Sequence, residues 1–287
     1  STQSFDVNIT GVSGSVTGTA ISDIWMSSDT NVPVTLLRAV NIIATNFKAA
    51  LLNARSDSNA NIDTKDAQLL AASIGLSSKA LRTKVENISF KTTAGTWLTE
   101  QDDLTMSNVR YNGYAAEATG PVVLTSIGDL SLTETVRVTG QSEVTAQNIT
   151  VTGGDWGSLG GDTTFRAIDA LTFDGNSGGT TSQGNVLLYA GDQIVFGAGT
   201  TTQSDQTLTI GVDLVGQTSE AVDAAGGIVT LNGSWNASDI NLITGADKDT
   251  VTLTPERIDG NVHVMLGADE DNFTINELNT RNASHSF

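Results

Sequence analysis

Residues 245–276 read GADKDTVTLTPERIDGNVHVMLGADEDNFTIN. They contain one phrase twice: Gly-Ala-Asp-Lys-Asp-Thr-Val-Thr-Leu from Gly245, then Gly-Ala-Asp-Glu-Asp-Asn-Phe-Thr-Ile from Gly267. Each copy joins an acidic turn to a short run in which apolar residues alternate with polar ones, the period of a β-strand. Working outward, comparable apolar positions fall at Ile127, Ile149, Leu171 and Ile194, separated by the same interval to within one position. Leu208, Leu231, Leu253 and Ile275 keep that interval too, after a shorter gap between Ile194 and Leu208 that one phase shift must absorb. A recurrence of this length, with two or three short strands per period and no room for a helix, predicts a solenoid. The chain is therefore read as mainly β, a β-solenoid of the right-handed β-helix kind with about 22 residues per coil. A β-sandwich is the alternative; it explains short Thr-rich strands but not a near-constant phase.

Composition agrees with a core of small and β-branched side chains. Of 287 residues, 38% are apolar and 5% aromatic, and Ser, Thr, Gly, Asn and Asp supply much of the rest. The regular Val, Ile and Leu clusters argue against a disordered chain of similar polarity. The net charge of −18 disfavours nucleic acid and anionic lipid, which require clustered Lys and Arg. Cysteine is absent, which excludes disulfides, thiol nucleophiles and thiolate metal sites. No apolar run approaches the roughly 20 residues that span a bilayer as a helix, so no membrane insertion is expected. A chain opening at Ser1 rather than Met suggests removal of a signal or expression segment.

Charge is distributed unevenly. Residues 1–84 hold seven basic and six acidic residues, a net of +1, whereas 85–287 hold seven basic and 26 acidic, a net of −19. In the first segment, Leu36, Leu37, Val40, Ile43, Ala44, Phe47, Ala50 and Leu51 recur at helical steps after Pro33. A second helical candidate opens at Asp63 and closes at Gly75, with Asp63 as its cap and Gly75 suited to a left-handed end. These residues predict an antiparallel helical hairpin over 33–84 that covers one open end of a solenoid spanning 85–287, preceded by a strand segment over 1–32.

Two acidic clusters are candidate metal sites. The repeated turn resembles the glycine- and aspartate-rich nonapeptide of the repeats-in-toxin family, whose tandem copies bind calcium between turns of a β-roll. Gly245, Asp249 and Val251 match that pattern, as do Gly267, Asp271 and Phe273, while Thr244 and Leu266 replace its first glycine and Asp247 and Asp269 its third. The resemblance implies calcium at Asp247, Asp249, Asp269 and Asp271, where a hard cation would relieve crowded like charge; a solvated Gly/Asp turn explains the same residues. The second cluster, Asp57, Asn59, Asn61, Asp63 and Asp66, resembles the later part of a helix–loop–helix calcium loop of EF-hand or dockerin type. Arg55 stands at the first ligand position there, the loop glycine is missing and Asp66 replaces the usual glutamate. A polar loop capped by Asp63 is the simpler reading of that cluster.

Catalytic patterns are weak. Asp102 and Asp103 are the carboxylate pair to inspect for glycoside hydrolysis, yet residues 92–247 contain only Arg110, Arg137 and Arg166 as basic residues, too few for an acidic polysaccharide cleft. His263 and His285 are the only imidazoles, and His263 falls within a strand pattern. Trp25, Trp97, Trp156 and Trp235 are scattered and are read as core or turn plugs. In style and period, residues 85–287 resemble bacterial surface and secreted β-helical proteins: filamentous-haemagglutinin-like adhesins, autotransporter passengers and surface-layer proteins. That resemblance implies a secreted or cell-surface location and a non-catalytic structural role as a subunit of a self-assembling filament or surface layer, a homo-oligomer or homopolymer. The alternatives are an adhesin module that binds a cell-surface glycan and, less simply, a polysaccharide-degrading enzyme. The segment 33–84, with seven basic and three acidic residues, could contact an acidic solenoid from a neighbouring copy.

Overall fold

Alternation at every second residue buries one side of each short strand, and a coil that returns once per repeat lets each strand pair with its own equivalent. The structure, a computed structural model, shows this arrangement; it describes residues 4–9, 14–110, 113–175, 179–214, 216–218, 225–276 and 285–286. Among these no helix occurs, and the named strand pairs are parallel. The chain divides into two compact units, Ser1–Gly140 and Gln141–Phe287, each a parallel β-solenoid.

In the N-terminal unit, Ser4 faces Asp23, Asp23 faces Ile42, Ile42 faces Asp66 and Asp66 faces Asn87. The coils so defined are uneven: the two between Ser4 and Ile42 are the shortest, and the one from Ile42 to Asp66 is the longest. One residue along, Ile24 and Ile43 point inward and are 2% and 0% exposed, so the Asp23–Ile42 column faces outward. In the C-terminal unit, Ile149, Leu171, Ile194, Val229, Val251 and Phe273 form one column. Leu231, Leu253 and Ile275 form another. The repeated phrase at 245–253 and 267–275 is thus two successive coils in register. The wide rings stack edge to face: Trp156 on Phe165, Phe165 on Phe173 and Phe173 on Phe196, with centroids 5.3, 6.2 and 4.9 Å apart.

Three expectations require correction. The segment 33–84 is not a helical hairpin: it forms the strands Val32–Arg38, Ile42–Phe47, Ala50–Asn53, Ile62–Ala71 and Ser73–Ile74 and enters Leu81–Thr92. The buried apolar residues over 32–51 are Val32, Val34, Leu37, Ala39, Ile42, Ile43, Ala44, Phe47 and Leu51. Inward steps of two along strands, broken at corners and supplemented by Ile42 and Ala44, which are buried on the outward face, imitate the helical stripe; Val40, placed on that stripe, is 63% exposed. Coil-on-coil pairing therefore overrides the local propensity. Ile127, assigned to the first apolar column, is a corner residue 63% exposed to solvent. Leu208 pairs with Ile240, well past Leu231, which sat in phase with it on the sequence. An insertion between Val212 and Ile228 lengthens that coil and accounts for the phase shift. Its return is made by Gly226 at φ 70°, where a Cβ would collide with the Lys248 carbonyl oxygen.

Candidate binding clefts on the coil faces

The two predicted metal clusters are distributed among separate tasks. Asn61 is fully buried: its Nδ2 donates to the Val34 carbonyl at 2.7 Å and to Asn53 Oδ1 at 3.0 Å, while its Oδ1 accepts from the Arg82 amide at 3.0 Å. Asp57 is gripped by Arg55 at 2.6 and 2.7 Å, and that guanidinium holds its carboxyl well below the usual carboxylate range. Asp57 also accepts from the Asn59 amide. Asp63 pairs with Arg38 at 2.7 Å, and Asp66 accepts from Asn87 Nδ2 at 2.8 Å. With strands rather than helices on both sides, the likeness to a helix–loop–helix calcium loop fails.

In the repeated turn, Asp249 is 0% exposed and its Oδ1 accepts from the Gly227 amide at 2.6 Å. Asp271 repeats the contact one coil on, its Oδ1 accepting from the Asp249 amide at 3.0 Å. These aspartates cap the corner of the preceding coil, while Asp247 is half-buried and Asp269 exposed. Among the described residues no three His, Asp or Glu side chains converge as a metal site.

The remaining candidates also separate. Asp102 pairs with Lys84 at 2.9 Å, whereas Asp103 Oδ1 accepts from the Asp129 amide at 2.9 Å. His263 Nε2 lies 3.7 Å from Asp239 on a half-exposed face; the His285 side chain lies outside the described residues. Trp156 and Trp235 are buried plugs, as read, but Trp25 and Trp97 are half-buried on outward faces. Each of the three arginines in 92–247 stacks on a ring: Arg110 on Trp25, Arg137 on Tyr114 and Arg166 on Tyr189, at 4.7, 4.3 and 4.9 Å.

Two clefts result in the N-terminal unit. One, of about 540 Å³, lies along a column of alternating charge in which Arg38 meets Asp63 and Lys84 meets Asp102. Lys84 is pushed up first by its hydrogen bond to Asp102. These are solvent-facing pairs, each of small net worth. The other, about 500 Å³, is roofed by 107–110 over a floor of Asp23, Asn41, Ile42, Asp66 and Asn87. Its roof is tied down by Ser89 Oγ, which donates to the Val109 carbonyl at 2.9 Å, and by the Arg110 stack. Arg110 holds φ 60°, a left-handed conformation unusual for a residue with a side chain.

Sequence reasoning missed this roof, whose one local cue is Asn112-Gly113 just beyond it. It also missed Glu100, which is 0% exposed at a coil corner. Glu100 Oε1 accepts from the amides of Val85, Gln101 and Asp102, and Oε2 from Thr83 Oγ1. Burial pushes its carboxyl up despite those bonds. Comparisons of the chain with protein-family models, with curated proteins and with solved structures find no match.

Proposed function

We propose that the chain is an extracellular structural protein, a subunit of a self-assembling filament or surface layer that acts without catalysis. One observation carries this reading. Columns sealed within the C-terminal unit are less covered at its last described coil: Val229 and Val251 are 0% exposed, but the next member, Phe273, is half-buried. Leu231 and Leu253 are each 1% exposed, but Ile275 is half-buried as well. Among the described residues, Asn272–Ile275 pairs on one side only, with Thr250–Met265, and Ser4–Ile9 of the N-terminal unit pairs only with Asp23–Ser28. A parallel strand at the end of a described stack, with partly exposed inward side chains, is a template for another parallel strand. A heterologous contact of this kind between copies propagates rather than closes.

Charge supports the same order. The C-terminal unit has four basic and 19 acidic residues, while 33–84 has seven basic and three acidic. Complementary fields would steer copies head to tail, and the overall acidity would oppose random clustering. Sedimentation velocity and negative-stain microscopy over a concentration series test the reading. Concentration-dependent linear oligomers are expected, and Ile275→Lys, which places a charge in the less covered column, should reduce them to monomer. A wild-type chain that stays monomeric at high micromolar concentration would remove the proposal. The reading as a binding module draws on a different observation, the roofed cleft over Asp23, Ile42, Asp66 and Asn87.

A further inference from the structure

We propose that the cleft beneath 107–110 is a binding site for a neutral polysaccharide chain. The inference is independent of self-assembly. Its floor is a single outward column, Asp23, Ile42, Asp66 and Asn87, one residue from each of four successive coils. Adjacent strands in a sheet stand about 4.8 Å apart, a spacing close to the length of one pyranose ring. A sugar chain lying along the column therefore meets a new side chain at each residue, in constant register.

The chemistry of the lining selects the ligand class. Sugar hydroxyls donate and accept at once, so they are held by carboxylates and amides that accept and by amides and guanidinium that donate. The cleft supplies both: Asp23 and Asp66 accept, Asn41, Asn87 and Asn108 do either, and Arg110 donates. Ile42, 4% exposed, closes the base of the cleft between the polar groups and leaves the lining mostly polar. Two carboxylates against one guanidinium repel an anionic chain, and so polar a lining offers little to a lipid or an amphipathic helix.

The roof is built rather than incidental. Val109 is 8% exposed and anchored through its carbonyl to Ser89, and this anchor places Arg110 over the floor in its left-handed conformation. Stacking on Trp25 fixes the plane of the guanidinium at the rim. A group held in a costly backbone conformation by surrounding packing is the kind of feature that marks binding sites. Further along the same strands, Trp25, Ala44 and Gln68 line a second hollow of about 360 Å³, which widens the contact surface.

Isothermal titration of the full chain with cellohexaose, maltohexaose, chitohexaose, oligogalacturonate and calcium chloride, with tryptophan fluorescence in parallel, tests the site. At least one neutral hexasaccharide should bind with a Kd at or below about 1 mM, and oligogalacturonate should not. Arg110→Ala and Asp66→Asn should each weaken binding about tenfold or more, while Arg166→Ala, which removes the comparable stack of the C-terminal unit, should leave it unchanged. Asp23→Asn, outside the roof, gives a second reading should Arg110→Ala disturb the local fold. Binding of no neutral sugar, equal loss in Arg166→Ala, or a response to calcium alone would each overturn the proposal.

Discussion

Replacing Thr202 by Val should stabilise the C-terminal unit. Coil on coil, Trp156, Thr180, Thr202 and Trp235 form one inward column, so two threonines lie between two indoles. Thr180 and Thr202 are both 0% exposed, and neither Oγ1 has a hydrogen-bond partner. The indoles do not supply one: Trp156 Nε1 donates to Ser142 Oγ at 2.9 Å and Trp235 Nε1 to the Asn232 carbonyl at 3.1 Å. A buried hydroxyl without a partner costs about 1–3 kcal/mol. Valine has nearly the same shape, is at least as well suited to a parallel strand and removes that cost. Thr202→Val should therefore add roughly 1–2 kcal/mol, allowing for some strain from the new methyl. With an m-value of about 3 kcal/mol/M, the urea midpoint rises by roughly 0.3–0.7 M. Fluorescence of Trp156 and Trp235 reports the transition where the change is made. Thr180→Val should act likewise, and the pair should fall short of additivity because the two side chains stack. A midpoint that is unchanged or lower would mean that the hydroxyl already has a partner, such as a buried water, and would refute the reasoning.

Glu100 makes a pH-dependent case. Because burial raises its pKa, the native state binds this proton more readily than the unfolded chain. Its contribution to stability is therefore fully present below the unfolded value and lost as pH rises through the native one. Glu100→Gln keeps Oε1 for the three amides and offers Nε2 to Thr83, so it removes the titration with little change in shape. Urea midpoints between about pH 5 and 8 should show the wild type gaining on the variant as pH falls; a constant difference would contradict the assignment. In the C-terminal unit, Asp249→Ala should cost about 1–2 kcal/mol through loss of the Gly227 cap, whereas Asp249→Asn should keep the acceptor and most of the stability. If calcium instead raises the wild-type melting temperature and Asp249→Asn abolishes that rise, Asp249 acts as a ligand rather than a cap.

The sequence shows the period because inward columns admit only a few residue types. Leu231, Leu253 and Ile275 could be aligned by eye, and the structure pairs them. It conceals phase wherever a coil changes length. Leu208 is apolar and stands one apparent period before Leu231, yet the insertion after Val212 sends its pairing to Ile240. The helical misreading of 33–84 has a related cause. Its coils differ in length, and each corner breaks the two-residue step and adds buried positions at three- and four-residue spacing. Orientation at corners is less legible still. Asp247 and Asp249 are equivalent on paper; the structure turns Asp249 inward to an amide and leaves Asp247 at the rim. The cleft was invisible for a different reason. Asp23, Ile42, Asp66 and Asn87 are unequally spaced along the chain, an irregular series that reads as a column only once each coil's length is known.

The corner aspartates bear on the proposed assembly. In the C-terminal unit each cap reaches backward: Asp249 serves Gly227 of the coil before it, and Asp271 serves Asp249. A coil's corner is thus completed by the carboxylate of the coil that follows. Asp271, in the last described coil, donates its own amide to the Asp269 carbonyl at 3.1 Å, within its own turn. Its turn is closed locally where the two before it are closed by a neighbour. Phe273 and Ile275 show the same change in packing, half-buried where their column mates are sealed. Polar and apolar terms therefore weaken together at one place, and whatever strand is laid there gains both. The proposed assembly would place a second copy at the edge Asn272–Ile275, where both terms are weaker than in the two preceding coils.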